Sequence, residues 1–175
     1  MKGLGALLIL FSLLCTGCPL SIKSEAMIPL VQMPVHKSPS DVLIAVSRAT
    51  DVSAQKPIHI MNEDFELALR ESFEKSGLFR KAVTDVQATY QLEAVFVQMD
   101  EQIFGLDMTA SMEVNYTLAR AAPRKVLWEK RIFSTHTAAF GEALISLTRL
   151  QLATEGAARR NIEQAIQEIS KLQLE

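Results

Sequence analysis

Thiols, imidazoles and hydroxyls are the side chains best suited to covalent chemistry, and this chain uses them sparingly. Its two cysteines, Cys15 and Cys18, both fall near the N-terminus. No thiol follows them, so a structural disulfide, thiol redox chemistry, a Cys-ligated zinc and a cysteine nucleophile are excluded from the remainder. The three histidines, His36, His59 and His136, have no histidine, cysteine or carboxylate at a metal-ligand interval. Ser134 and His136 would share a strand face with side chains about 6–7 Å apart, too far for the imidazole to take the hydroxyl proton. The carboxylate pairs Glu63-Asp64 and Asp100-Glu101 fall where a helix start and a turn are expected, and structural roles explain them. Nucleotide, zinc-protease and nucleophile-elbow motifs are missing. The expectation is a protein that is not an enzyme, with no catalytic residues, no cofactor and no metal.

One cysteine does have a chemical context. Lys2 precedes an apolar run from Leu4 to Leu14 broken only by Gly5 and Ser12, and the small residues Thr16 and Gly17 follow. Eleven helical residues span about 16 Å, short of a bilayer core of about 30 Å. A basic start, an apolar run and a small-residue junction make a secretory signal. Thr16-Gly17-Cys18 resembles the lipobox of bacterial lipoproteins, with Cys15 where a leucine is usual. The resemblance implies cleavage before Cys18 and acylation of its thiol. Two or more acyl chains make a stable anchor, since each buried methylene contributes about 0.8 kcal/mol. Sorting in such proteins retains those with aspartate after the cysteine in the inner membrane; Pro19 here implies the outer membrane, with the body facing the periplasm.

Composition narrows the partners. The 175 residues carry 18 basic and 20 acidic side chains, and the balance of −2 lacks any long basic block. That weighs against affinity built on nucleic-acid phosphates. Aromatic residues are 6% of the chain and Trp128 is its one tryptophan, so base- or sugar-stacking platforms are not expected. The basic pairs Arg80-Lys81, Arg124-Lys125, Lys130-Arg131 and Arg159-Arg160 are short and scattered, as on solvated faces.

The elements that position these residues follow from periodicity. Pro19, Pro29, Pro34 and Pro39 make the segment after Cys18 an extended tether. Its apolar residues, from Met27 to Val35, could lie on the chain's own domain or on a partner. An apolar strand is predicted at Asp41–Val46. A helix is predicted at Asn62–Ser76, started by Asn62, striped by Phe65, Ala68, Leu69 and Phe73, and stopped by Gly77. Alternation predicts strands from Tyr90 to Val97, Leu106 to Leu118 and Val126 to His136. A last helix starts near Leu144 or Thr148, and Gly156 within it points to close backbone approach. The expected fold is α+β: a two-layer sandwich with a four-stranded, mainly antiparallel sheet covered on one face by two helices, in the order β-α-β-β-β-α. The expected division is a signal peptide at 1–17, a lipid-anchored tether at 18–40 and one domain at 41–175.

Lipobox and element order together resemble small Gram-negative outer-membrane lipoproteins, among them the lipopolysaccharide-assembly lipoprotein and the N-terminal domain of TolB. The resemblance implies a non-catalytic part of an envelope complex. The expected function is thus a lipid-anchored periplasmic accessory protein that binds or stabilises a membrane-protein complex. The alternative is a lipid or glycolipid carrier or sensor with an apolar pocket beside the sheet. The residues singled out are Cys18 for lipidation, and Ile103 and Phe104, in an expected loop, for partner contact. Ala138-Ala139-Phe140-Gly141 is a second, partly apolar loop.

Overall fold

In chain order the elements are β1 (Leu20–Ile22), α1 (Ser24–Met27), β2 (Val42–Arg48), β3 (Ile58–Ile60), α2 (Asn62–Ser76), β4 (Ala82–Val83), β5 (Tyr90–Phe104), β6 (Asp107–Arg120), β7 (Lys125–Ala138), a 3-10 turn (Phe140–Glu142) and α3 (Ser146–Ile169). The computed structural model describes residues 20–30, 38–49, 58–84, 87–104 and 106–174, and all that follows concerns these.

β6 shows how the pattern becomes structure. Met108, Ala110, Met112, Val114, Tyr116 and Leu118 are buried on one face, while Thr109, Ser111, Glu113, Asn115 and Thr117 alternate onto the other. β5 and β7 flank β6 antiparallel, and β2 joins β5 parallel. The main sheet therefore runs β4-β2-β5-β6-β7, and β1 pairs with β3 in a separate parallel ribbon.

The expected four-stranded sheet with two helices is wrong. Among the described residues there are two sheets, of five and two strands, and three α-helices. The extra pieces, β1, β3, β4 and α1, span two to four residues each. Segments that short hold too few residues for a period to show. Two pairings of the main sheet are also parallel: β2 lies beside both β4 and β5. Parallel strands need a crossover, which α2 supplies.

A bulge in β5 adjusts its parity. The pairing with β6 slips between Phe96 and Gln98, so Val97 is the extra residue. Before it Tyr90, Leu92, Ala94 and Phe96 point into the core; after it Met99 does. β5 then runs on to Phe104, so Ile103 and Phe104 are strand residues at a hairpin tip and not a loop. Leu106, expected on the buried face, sits in the turn and is exposed.

α2 and α3 cover the same face of the sheet. Phe65 of α2 stacks on Phe96 with ring centres 4.7 Å apart, and Phe79, just after α2, bridges Phe73 and Tyr90 at 6.0 and 5.8 Å. Gly77 ends α2 with φ of 67°, the left-handed conformation its position requires. Met61 precedes the helix without a side-chain cap, and the Asn62 side chain expected there leaves its Oδ1 buried and unpartnered.

α3 approaches the sheet through small residues. Ala153, Gly156, Ala157, Ala158 and Ala165 are buried along it, beside Ile162, Ile166 and Ile169. At Gly156 the approach is closest: a Cβ there would lie 1.9 Å from Cδ2 of His136 and 2.3 Å from its Cγ. This is the contact that the glycine in the helical pattern anticipates.

Residues 20–30 are part of this packing. Ile22 and Met27 are fully buried in the common core, and Arg159 Nη1 donates to the Ala26 carbonyl at 2.6 Å. Of the two open readings of the tether's apolar residues, Met27 at least lies on its own domain.

Gly156→Ala should lower unfolding free energy by about 1–3 kcal/mol, because overpacking against the imidazole outweighs alanine's helix preference of about 1 kcal/mol. In a His136→Ala background the same change should be neutral or stabilising. Urea denaturation of the four proteins in the cycle measures both.

Candidate functional site

The groups most suspect of chemistry are already committed to structure. Ser134 Oγ donates to the Ala157 carbonyl at 2.9 Å and accepts from Asn161 Nδ2 at 3.0 Å. Asn161 Nδ2 also donates to the Ile132 carbonyl at 3.0 Å, and its Oδ1 accepts from the Tyr116 hydroxyl at 2.9 Å. Burial raises Tyr116 above the ordinary phenol range, so it stays a neutral donor. Ser134 thus ties α3 to β7 and has no bond to His136. Among the described residues no group of three or more His, Cys, Asp or Glu could hold a metal ion, and no helix is long and apolar enough to cross a membrane.

The basic pairs lie on solvated faces, and several of them make ion pairs or hydrogen bonds there. Arg80 grips Asp41 through two bonds of 2.8 and 2.6 Å, and that hydrogen bonding, then the charges of Arg80 and Lys81, holds the Asp41 carboxyl below its ordinary range. Arg131 reaches Glu113 at 2.9 Å and Asn115 at 3.0 Å across neighbouring strands, and Lys130 reaches Glu168 at 2.9 Å. Arg160 donates to the Thr135 carbonyl at 2.7 Å. Exposed ion pairs of this kind contribute little to stability, because water and salt screen them.

His136 sits at the edge of an open cleft of about 270 Å³ with Pro29, Leu30, Gly156, Arg159, Arg160 and Glu163. Its Nδ1 is buried and unpartnered. Another open cleft, of about 410 Å³, lies between Tyr90, Arg120, Pro123 and the Gln173-Leu174 end. Both have mixed polar and apolar walls, unlike the continuous apolar pocket that a lipid carrier needs.

The surface feature that stands out is apolar. Ile103 shares the inward-facing parity of Met99 and pairs with buried Met108, yet it is 68% exposed, because β5 extends beyond α2. Leu106 follows in the turn, 60% exposed. The Phe140 N–H donates to Asp107 Oδ1 at 2.9 Å, which brings the segment leading into α3 to the same end of the sheet. That segment carries Leu144 and Ile145, 85% and 67% exposed. Arg149 shapes it from beneath: it is buried, lies 5.1 Å over the Phe140 ring, and donates to the carbonyls of Ala143 and Leu144.

Of the residues singled out from sequence, Ile103 belongs to this end. The Phe104 backbone ends β5 there, and its side chain lies outside the described residues. Cys18 also lies outside them. Leu144 and Ile145 were missed, since two apolar residues before a helix read as its first turn. The partly apolar loop around Phe140 was the available signal.

No family model matches the chain, and no curated protein matches it. Solved structures match in fold, and the fold is one found in small bacterial lipoproteins. A DUF330-family protein from Xanthomonas campestris superposes with a TM-score of 0.63 at 11% identity over 87% of this chain and 92% of its own. A minor lipoprotein from Acinetobacter baumannii gives 0.52 at 12% identity, over 78% and 94%. PelC from Paraburkholderia phytofirmans, solved as a dodecamer, gives 0.51 at 12% identity, over 80% and 95%. At these identities the likeness is one of fold.

Burial, followed by the charges of Arg160 and Arg159, holds His136 below the ordinary imidazole range, with Glu142 opposing. A depressed folded pKa means the unfolded chain binds the proton first as pH falls through about 6.5. Stability should therefore drop between about pH 7 and the lower folded value, then level off. His136→Gln should lose this part of the slope, as read by urea midpoints across that range.

Proposed function

We propose that this chain is a lipid-anchored envelope protein that works by protein contact, with its apolar end as the contact surface. The observation that carries the proposal is the group Ile103, Leu106, Leu144 and Ile145, exposed together at one end of the sheet. Burying such side chains yields about 1.5–3 kcal/mol each, while association costs about 4–15 kcal/mol. Four residues therefore support only modest affinity. An anchor that confines protein and partner to one membrane raises the effective concentration and makes modest affinity sufficient.

The anchor in this proposal is Cys18, acylated after removal of residues 1–17, with the outer membrane as its place because Pro19 follows. Support comes from the signal-like N-terminus and from relatives of the same fold that include a minor lipoprotein and the PelC dodecamer. The partner in this view is a protein of an envelope complex, a second copy of the chain included.

Two experiments test it. Ile103→Asp combined with Leu144→Asp should abolish co-purification of the partner from mildly solubilised membranes, with the thermal midpoint unchanged because both residues are exposed. Full retention of the partner overturns the contact surface, and a co-purifying lipid without protein favours the carrier. Cys18→Ser should leave the protein unacylated, as seen by mass spectrometry of the mature N-terminus. Wild-type protein with an unmodified Cys18 overturns the anchor.

A further inference from the structure

We propose that the cleft beside His136 is a binding site for a phosphate group. Gly156, Arg159, Arg160 and Glu163 follow one another at i, i+3, i+4 and i+7, so one face of α3 makes its floor. Pro29 and Leu30 line it from the segment after α1, and His136 lines it from β7. The space is about 270 Å³ and open to solvent. That is small for a whole lipid or cofactor and sufficient for a compact anionic group.

The two guanidiniums are held in place without being neutralised. Arg159 Nη1 donates to the Ala26 carbonyl at 2.6 Å, on the side of Pro29. Arg160 Nη1 donates to the Thr135 carbonyl at 2.7 Å, on the side of His136. Each contact engages one of a guanidinium's five N–H donors with an uncharged acceptor, so the positive charge stays uncompensated. Among the described residues neither arginine forms an ion pair, unlike Arg80 and Arg131. Glu163 lines the same cleft, its Oε1 accepting from Gln167 Nε2 at 3.4 Å, and its single charge offsets one of the two cations.

His136 completes the set. Gly156 leaves room for its ring to lie against the helix backbone. Its Nδ1 is buried without a partner, which keeps the proton of the neutral ring on Nε2, the nitrogen left to meet a ligand. The charged groups around it are Arg160, Arg159 and Glu163 of α3 and Glu142 of the 3-10 turn. Burial and the two arginines disfavour a second ring proton, and an anion held among them offsets the charge part of that effect. Phosphate suits the arrangement better than a flat carboxylate. The donors come from both sides of the cleft and not from one plane, as tetrahedral oxygens require, and a charge of about −2 balances two guanidiniums.

Imidazole NMR of the full-length protein in neutral detergent micelles tests the site. His136→Gln assigns the His136 signal among the three histidines. Inorganic phosphate replacing chloride at constant ionic strength should shift that signal saturably and raise its apparent pKa, while His36 and His59 stay where they were. Arg160→Gln, at an exposed position, should weaken phosphate binding by about tenfold or more, the worth of a hydrogen bond to a charged group. Glu163→Gln should strengthen it, a gain that a damaged fold does not imitate, so this variant decides if Arg160→Gln fails to fold. Glycerol phosphate and dihexanoyl phosphatidylglycerol separate the sources. Tighter binding of the first marks a soluble phosphate ester as the ligand, and tighter binding of the second marks a lipid headgroup. A shift that does not saturate, equal shifts at all three histidines, or an affinity that neither substitution changes overturns the site.

Discussion

A single buried amide fixes how the two layers of this protein meet. Asn161 lies fully buried on α3 with its carbonyl oxygen on Tyr116 of β6 and its amide on the Ile132 carbonyl and Ser134 of β7. The small residues along α3 would permit packing at several positions, since alanine stripes have little shape to lock. A helix shifted by one turn would strand the amide, the phenol and the Ser134 hydroxyl, and a buried unsatisfied polar group costs about 1–3 kcal/mol. Ser134 closes the arrangement by reaching back to the Ala157 carbonyl. With the register set, Gly156 falls under the His136 ring, and the segment before α3 is carried to the end of the hairpin.

That register also decides what stays uncovered. β5, β6 and β7 are each fourteen or fifteen residues long, while β2 has seven. α2 ends its cover with β2, and α3 covers β6 and β7. The far corner of β5 is left with an inward-facing isoleucine and no helix above it. The apolar end follows from unequal strand lengths and not from any unusual residue. The outward face of the sheet differs in kind: Arg131, Glu113 and Asn115 pair across its strands, and the hydroxyls of Thr109 and Thr137 meet at 2.8 Å.

The sequence made the long elements legible. Asn62–Ser76 as a helix, its stop at Gly77 and the three long strands follow from period and punctuation, because each is long enough for many residues to repeat one signal. Short strands such as Ile58–Ile60 carry no such signal, and they form because a partner strand and a core are already beside them. The sheet order was also hidden: parallel pairing of β2 with β5 depends on how α2 crosses over, not on any local residue. At the candidate site Ile103 could be found, since an apolar residue in a short connection between two predicted strands is conspicuous. Leu144 and Ile145 could not, because their exposure is set by the fold-back of Phe140 onto Asp107.

The short ribbon of β1 and β3 has a mechanical consequence. Two parallel strands joined side by side resist a pull along their length in shear, with their hydrogen bonds loaded together. Force entering from the N-terminal side would pass first through that ribbon, then along the backbone from Ile60 into α2 and through the Arg48 bond into the main sheet. A second path runs from Ala26 through Arg159 into α3. A load applied at one end of the chain is thereby shared between both large helices.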